Sequence, residues 1–318
     1  MSVSTTIRLV FLLFAAAVSA GSSPSRPHPT IPVLKNCTVE SQPNPLLKGH
    51  LKEVTGTINM TYLIIPAPLK EIWRIVPAKW GILEDAYRAL LPDFPKGHYP
   101  VLVQGGLDHN VGIAALDIQI PDFSRISFQF PFIDLLGDNH TSFNWNPSLL
   151  VSADNQVAIV GAADYGQKVY PASFTPECNA YRGRDDGSTY LWGFSNATEP
   201  AVWVNLEMRP MFTKGDGKPV PKYSFAVVQN ITSQPIFGNG SVCDNQVKLF
   251  NTTLSEGRYA PKPVEATVLG NLPPFGGLHG VGRTVWEAEG WQVDMPFVEY
   301  NGIVCRTLRG YNGTWSGD

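Results

Sequence analysis

Charge is scarce in this chain of 318 residues: 16% of the side chains are Asp, Glu, Lys or Arg, and 24 basic against 27 acidic residues leave a net charge of −3. Average soluble chains carry about 25% charged residues, so this surface needs another source of hydrophilicity. A balance so close to zero excludes the basic footprint of a nucleic-acid partner. Long apolar runs are also missing. The longest, Leu9 to Val18, falls short of the ~18 residues that a membrane helix needs, so no membrane span is expected. Cysteine is confined to Cys37, Cys178, Cys243 and Cys305, with no CxxC or zinc-type spacing. HExxH, GxSxG, a P-loop and a GxGxxG opening a helix are all absent. The glycines of PPFGGLHGVGR lack the Lys-Ser/Thr ending and following helix of a phosphate cradle and read as a loop. The six histidines are scattered, and Asp108-His109 reads as a polar turn after Gly105-Gly106 rather than a metal site.

What is present points to the secretory pathway. Arg8 precedes the apolar run, and Val18-Ser19-Ala20 has the small-residue spacing of a signal-peptidase site, so residues 1–20 are expected to be removed. An even number of cysteines suits two disulfides in an oxidising compartment, with three pairings open. Asn-X-Ser/Thr sequons occur at Asn36, Asn59, Asn139, Asn196, Asn230, Asn239, Asn251 and Asn312. Glycans there would supply the hydrophilicity that charge does not.

Residues 21–50 are proline-rich without apolar periodicity and read as an extended arm, stapled to the body if Cys37 pairs. Residues 51–318 read as a single domain. A strand-like run beginning at Met60 is followed by two short helices, Leu69 to Val76 and Gly81 to Leu91, the second stopped by Pro92. Thereafter eight short runs rich in β-branched and aromatic residues read as strands: 99–104, 111–120, 126–133, 149–152, 157–160, 202–209, 223–228 and 264–269. With no βαβ alternation, the expected class is mainly β (α+β), a cone-like antiparallel β barrel or sandwich with a short helical excursion near its start. Trp286, Trp291, Phe297 and Tyr300 read as core or as cover for one barrel end.

The most informative stretch runs from Ser127 to Phe174 and ends its second apolar run in Gly161-Ala-Ala-Asp-Tyr-Gly-Gln-Lys168. A lysine in an apolar cavity loses the solvation of its cation, its pKa falls, and the free amine can add to a carbonyl. Lysines also reach solvent, or pair with an acid such as Asp164, more often than they are buried.

This order of elements resembles the acetoacetate decarboxylase superfamily over residues 58–210, and the chain is identified as a divergent, secreted, fungal-type member of it. The resemblance implies a cone-like barrel holding the substrate in its interior, Lys168 as the Schiff-base residue, and no cofactor. Two positions depart from the family pattern. Val169 stands where a second lysine would lower the nucleophile's pKa, and Ser127 or Gln129 occupies the strand where an acid is expected. Desolvation is then the one remaining route to a reactive amine.

The leading expectation is a decarboxylase-like lyase acting on a small β-keto acid or polyketide-type carbonyl metabolite. Arg74 and Arg125 are candidates for a substrate carboxylate, and Gln129, Phe128, Phe130, Trp145 and Tyr165 for contact area. A second expectation keeps the barrel as a binding protein or non-covalent cyclisation catalyst for a hydrophobic metabolite. A third is an extracellular glycan- or surface-binding module.

Overall fold

A computed structural model describes residues 41–211, 221–250, 256–277 and 284–311. In chain order the first elements are β1 (Val54–Pro68), α1 (Leu69–Ile75), β2 (Gly81–Ile82), α2 (Glu84–Leu90), β3 (His98–Ile113), β4 (Ile118–Ile120) and β5 (Phe123–Asp134). They are followed by β6 (Phe143–Trp145), β7 (Ser148–Ser152), α3 (Gln156–Asp164), β8 (Lys168–Thr175), β9 (Arg182–Gly183), β10 (Thr189–Ser195) and β11 (Val202–Pro210). The last are α4 (Phe225–Thr232), β12 (Ile236–Phe237), β13 (Val242–Lys248), β14 (Lys262–Gly270) and β15 (Thr284–Val304).

The strands form one mixed sheet around a ring of ten strands, with β1 and β3 bridging from β15 to β5. Its long strands change neighbours along their length. β15 pairs with β14 through Thr284–Gln292 and with β13 through Phe297–Val304, while β1 lies along its other edge. β5 pairs with β7 through Arg125–Ser127 and with β6 at Phe130 and Ile133. The four shared strands β15-β1-β3-β5 therefore close twice: through β7-β8-β10-β11-β14 into a larger ring, and through β6-β12-β13 into a smaller one. Strand twist makes this possible, because opposite corners of a coiled sheet turn toward opposite faces.

Burial along the shared strands follows from the double closure. β1 and β3 are buried almost continuously instead of at alternate residues, the pattern of strands covered on both faces. Close approach demands glycine on either side of β1. A Cβ on Gly106 would come within 2.1 Å of the Asn59 carbonyl oxygen, and one on Gly290 within 1.9 Å of that of Tyr62.

Adjacent residues on a strand point to opposite faces, and on β5 they divide the two interiors. Phe128 enters the larger ring, packing against Phe275 (4.9 Å) and Trp286 (5.7 Å). Arg125 enters the smaller ring and reaches Gln246 on β13, a strand with which β5 does not pair.

Several expectations need correction. Val157 to Val160, read as a strand from its β-branched residues, lies in α3, whose start is capped by Asn155 Oδ1 accepting from the Ala158 N–H (2.9 Å). Tyr223 to Val228 likewise leads into α4, where Val227, Val228, Ile231 and Thr232 are buried at helical spacing. Asp108 and His109 sit within β3, not in a turn. At the end of the expected arm, Asp294 accepts from the Gln42 N–H, and Asn44 donates to Thr55, which adds contacts to the body without contradicting an extended arm. Of the two readings of Trp286, Trp291, Phe297 and Tyr300, all of which lie on β15, the core one holds for Trp286 and Phe297, with Trp291 packed against that core.

Cys243 on β13 is bonded to Cys305, just beyond β15, and no described cysteine is free. Cys37 lies outside the described residues, as do the sequons at Asn36, Asn251 and Asn312. No helix among the described residues is long and apolar enough to cross a membrane.

Candidate active site in the smaller ring

The smaller ring contains a row of buried charge. The Arg125 guanidinium grips the Asp108 carboxylate with two donors, Nε to Oδ2 (2.8 Å) and Nη2 to Oδ1 (3.0 Å). Nη2 also donates to Gln246 Oε1 (3.3 Å), and Gln246 Nε2 donates onward to Glu299 Oε2 (3.0 Å). Strand geometry explains the assembly. Asp244, Gln246 and Lys248 alternate along β13, and Gln246 stands opposite Glu299 in the antiparallel register with β15.

Lys248 is 6% exposed, and its ammonium donates to the backbone carbonyls of Thr232 (3.0 Å) and Gln246 (3.3 Å). Burial is the main force on this amine, and the nearby Arg125 cation adds to it. Together they outweigh Asp244, Glu299 and Asp108, and bring the lysine down to about 8. Burial also pushes the carboxyls upward: Asp244 well above the ordinary range with help from Glu299, and Glu299 upward against the opposing pull of Arg125. These acids can hold a proton where exposed carboxylates cannot. Arg125 keeps 15% of its side chain open, so solvent reaches the row despite its depth.

A second, uncharged row runs beside it. Asn144 Nδ2 donates to Gln129 Oε1 (2.6 Å), while Gln129 Nε2 donates to Gln104 Oε1 and to Ser127 Oγ (both 3.0 Å). Tyr62 faces Gln104 across the β1–β3 register. The Tyr62 hydroxyl, Gln104 Nε2 and Asn144 Oδ1 have no protein partner, leaving donors and an acceptor that a bound carbonyl compound can use. Among the described residues, no group of three or more His, Cys, Asp or Glu side chains is arranged to hold a metal ion.

The residues anticipated from sequence divide accordingly. Arg125 and Gln129 share the smaller ring's face of β5. Arg125 is engaged by Asp108, so a free clamp for a substrate carboxylate is not what the geometry provides. Phe128 and Phe130, two positions apart, share the opposite face of β5: both pack against Phe275 (4.9 and 6.3 Å), and Phe130 also meets Trp145 at 5.0 Å. Arg74 is exposed on α1 and paired with Glu71 (2.7 Å), away from either ring.

Lys168 lies at the exposed start of β8, its ammonium 5.0 Å over the Tyr170 ring, so the desolvation sought there is found at Lys248 instead. The intervening turn explains the difference. Gly166 has φ +78, and Asn239 packs so close that a Cβ would meet its side chain at 2.3 Å. This left-handed turn keeps Tyr165 inside, where its hydroxyl donates to Asn301 Oδ1, and returns the chain outward before Lys168.

Sequence reasoning missed Asp108, Asp244, Gln246, Lys248 and Glu299. The available signal was the alternation in Val-Cys-Asp-Asn-Gln-Val-Lys, which resembles the solvent-facing side of a strand unless the opposite wall of a closed ring is known.

No protein-family model and no curated protein matches the chain. Among solved structures, it is similar to the enduracididine biosynthesis enzyme MppR complexed with pyruvate, with a TM-score of 0.43 at 10% identity over 85% of this chain and 98% of that one. MppR complexed with the condensation product of pyruvate and imidazole 4-carboxaldehyde gives a TM-score of 0.43 at 11% identity, covering 86% and 98% of the two chains. An acetoacetate decarboxylase-like enzyme from Sphingomonas wittichii RW1 gives 0.39 at 6% identity, covering 80% and 93%. The likeness is one of outline.

Proposed function

We propose that the chain is a secreted enzyme that acts on a small carbonyl metabolite in the smaller ring through an imine on Lys248. One observation carries this reading: Lys248 is a desolvated amine beside a fixed cation, the two conditions that make a lysine nucleophilic near neutral pH. Its neutral amine adds to the carbonyl carbon, and the hydroxyl of the resulting carbinolamine leaves as water with a proton from Glu299 or Asp244. The iminium then draws electrons from an adjacent carbon–hydrogen bond, whose proton passes to the carboxylate left on Glu299 or Asp244, or from an adjacent carbon–carbon bond once water has added to the second carbonyl, which departs as a carboxylic acid; either way an enamine forms. Protonation at carbon followed by hydrolysis releases product and restores the amine. The Tyr62 hydroxyl and Gln104 Nε2 are the unpartnered donors to which this reading gives a second oxygen of the substrate.

The charge balance favours a neutral ketone or β-dicarbonyl compound over a β-keto acid. Arg125 is already paired with Asp108, and the remaining acids would repel a carboxylate. Loss of carbon dioxide, the reaction suggested by the family resemblance, is therefore the less favoured use of the same imine. Secretion is supported by the disulfide between Cys243 and Cys305 and by exposed sequons at Asn139, Asn196, Asn230 and Asn239.

The test is borohydride trapping with acetylacetone and, separately, acetoacetate, followed by peptide mass spectrometry. The expected result is an adduct at Lys248 with acetylacetone, absent from Lys248→Met. An adduct confined to Lys168 would return the chemistry to the surface lysine. Saturable binding without an adduct would favour a non-covalent binding barrel.

A further inference from the structure

The outer face of the larger ring carries a solvent-facing aromatic row. Along β10, Leu191, Gly193 and Ser195 are buried, while Tyr190, Trp192 and Phe194 take the opposite face. Trp192 is 41% exposed and lies 5.8 Å from Phe194. The register places Phe194 opposite Trp203, and carries the apolar surface from Trp192 past Asn205 to Leu269 and Val285. Two ion pairs lie at its margin, Arg184 with Glu207 (3.0 Å) and Arg209 with Asp186 (3.5 Å), and the exposed Glu287 follows Val285 on the same side of β15. Contiguous exposed apolar surface of this kind marks a contact.

The strand runs directly into the sequon Asn196-Ala197-Thr198. Asn196 is exposed and follows Phe194 by two positions, the spacing that returns a side chain to the same face of an extended chain. The turn is held by the Ala197 N–H donating to Ser195 Oγ and by Thr198 Oγ1 donating to the Pro200 carbonyl.

We propose that Asn196 carries an N-linked glycan whose first sugars lie on the Phe194–Trp203–Trp192 face. A pyranose ring presents one side of C–H bonds, which packs against the electron-rich face of an aromatic ring. Its hydroxyls then meet Asn205, which lies between Trp192 and Leu269, and the flanking Ser173 and Glu207. The occupant is neutral, amphipathic and tethered at the edge of the patch, matching the chemistry of this face.

The other described sequons lack the arrangement. Asn239 also follows a phenylalanine by two positions, but Phe237 is wholly buried against Trp80. Asn59 lies within the sheet, paired with Leu107 and Asp294. Asn139 and Asn230 follow Gly137 and the buried Val228. The inference rests on the secretion reading and is independent of the chemistry at Lys248.

The test produces the full chain in a eukaryotic secretory host and reads each sequon by glycopeptide mass spectrometry. Thermal unfolding is then compared for the native glycoprotein, for protein trimmed to the first sugar, and for Asn196→Gln, with Asn230→Gln as control. Asn196 is expected to be occupied. Its loss should lower Tm by a few degrees and raise apolar-dye binding several-fold, whereas Asn230→Gln changes neither. Protein trimmed to the first sugar should keep most of the effect. In a Phe194→Ala background, removing Asn196 should cost nothing further, the signature of a direct contact.

An unmodified Asn196 beside occupied neighbours overturns the proposal. So does an Asn196→Gln variant that behaves as Asn230→Gln does. A secreted chain with no glycan at any sequon overturns it too, and a chain that is not secreted overturns it together with the secretion reading. Trapping at Lys248 is unaffected by each of these outcomes.

Discussion

The two interiors that share β1 and β3 are built on opposite principles. The larger ring is filled by aromatic and aliphatic contacts, Phe128 between Phe275 and Trp286, with Leu150, Leu191, Leu206 and Val268 fully buried. The smaller ring holds Asp108, Arg125, Gln246, Lys248 and Glu299 in connected polar contacts. Apolar burial stabilises without regard to direction, whereas buried charge stabilises little after desolvation and then only in a fixed geometry. The difference suggests a division of labour: one interior supplies folding free energy, and the other spends part of it on a reactive arrangement. The disulfide follows the same division, joining β13 to the end of β15 around the ionic ring.

Substitutions can break or sharpen that contrast. The largest effect is expected from Phe128→Ala, about 3–5 kcal/mol lost in urea unfolding for a large aromatic truncation, with trapping at Lys248 retained where the variant is folded. Replacing Cys243 and Cys305 by alanine should cost about 4 kcal/mol, because the bond closes a loop of 62 residues in the unfolded chain. Here trapping should fall with stability, since the bond borders the ionic ring.

Asp108→Asn should cost about 3 kcal/mol by leaving Arg125 without its counter-charge, while the double variant Asp108→Leu/Arg125→Met should recover much of that loss. A double variant as weak as the single one would mean that the ionic ring contributes net stability, contrary to the division drawn here.

A comparable effect, about 3 kcal/mol, has a defined pH sign. Lys248 is lowered from 10.5 to about 8 in the folded protein, so between those values the unfolded chain binds more protons. Stability relative to Lys248→Met should rise as pH increases from about 8 toward 10.5, and the burial penalty should be fully present below 8. Parallel pH profiles for the two proteins would contradict a desolvated amine. The smallest effect belongs to Lys168→Met, whose exposed side chain should leave stability within about 0.5 kcal/mol. It should also leave the trapped adduct at Lys248 unchanged.

Local signals in the sequence were sufficient for the helical excursion and for the shorter strands. The helices at Leu69–Ile75 and Glu84–Leu90 lie within their expected ranges, and β7, β11 and β14 coincide closely with β-branched runs. The long strands were harder to read because their continuity is not a local property. β15 is interrupted in sequence by Gly290 and Pro296, residues that usually end a strand, but Gly290 is needed for the approach of β1. Arg125 and Gln129 were visible as polar residues on an apolar strand. Lys248 was not, because nothing near it in sequence tells whether its face of β13 meets water or the far wall of a ring. Lys168 had the reverse problem: an apolar run precedes it, but a turn at Gly166 ejects it.

The long shared strand also constrains how the protein can fold incorrectly. β15 contributes to both rings, so sliding it by one residue against β1 would turn its inward set outward along its whole length. Trp286 would leave the aromatic interior as Glu287 entered it, and at the other end Glu299 would leave the ionic row as Tyr300 replaced it. A single misregistration would thus incur two penalties of different kinds, one for exposed hydrocarbon and one for unmatched charge. Such an error cannot be relieved at one end without being felt at the other, which makes β15 a check on its own alignment.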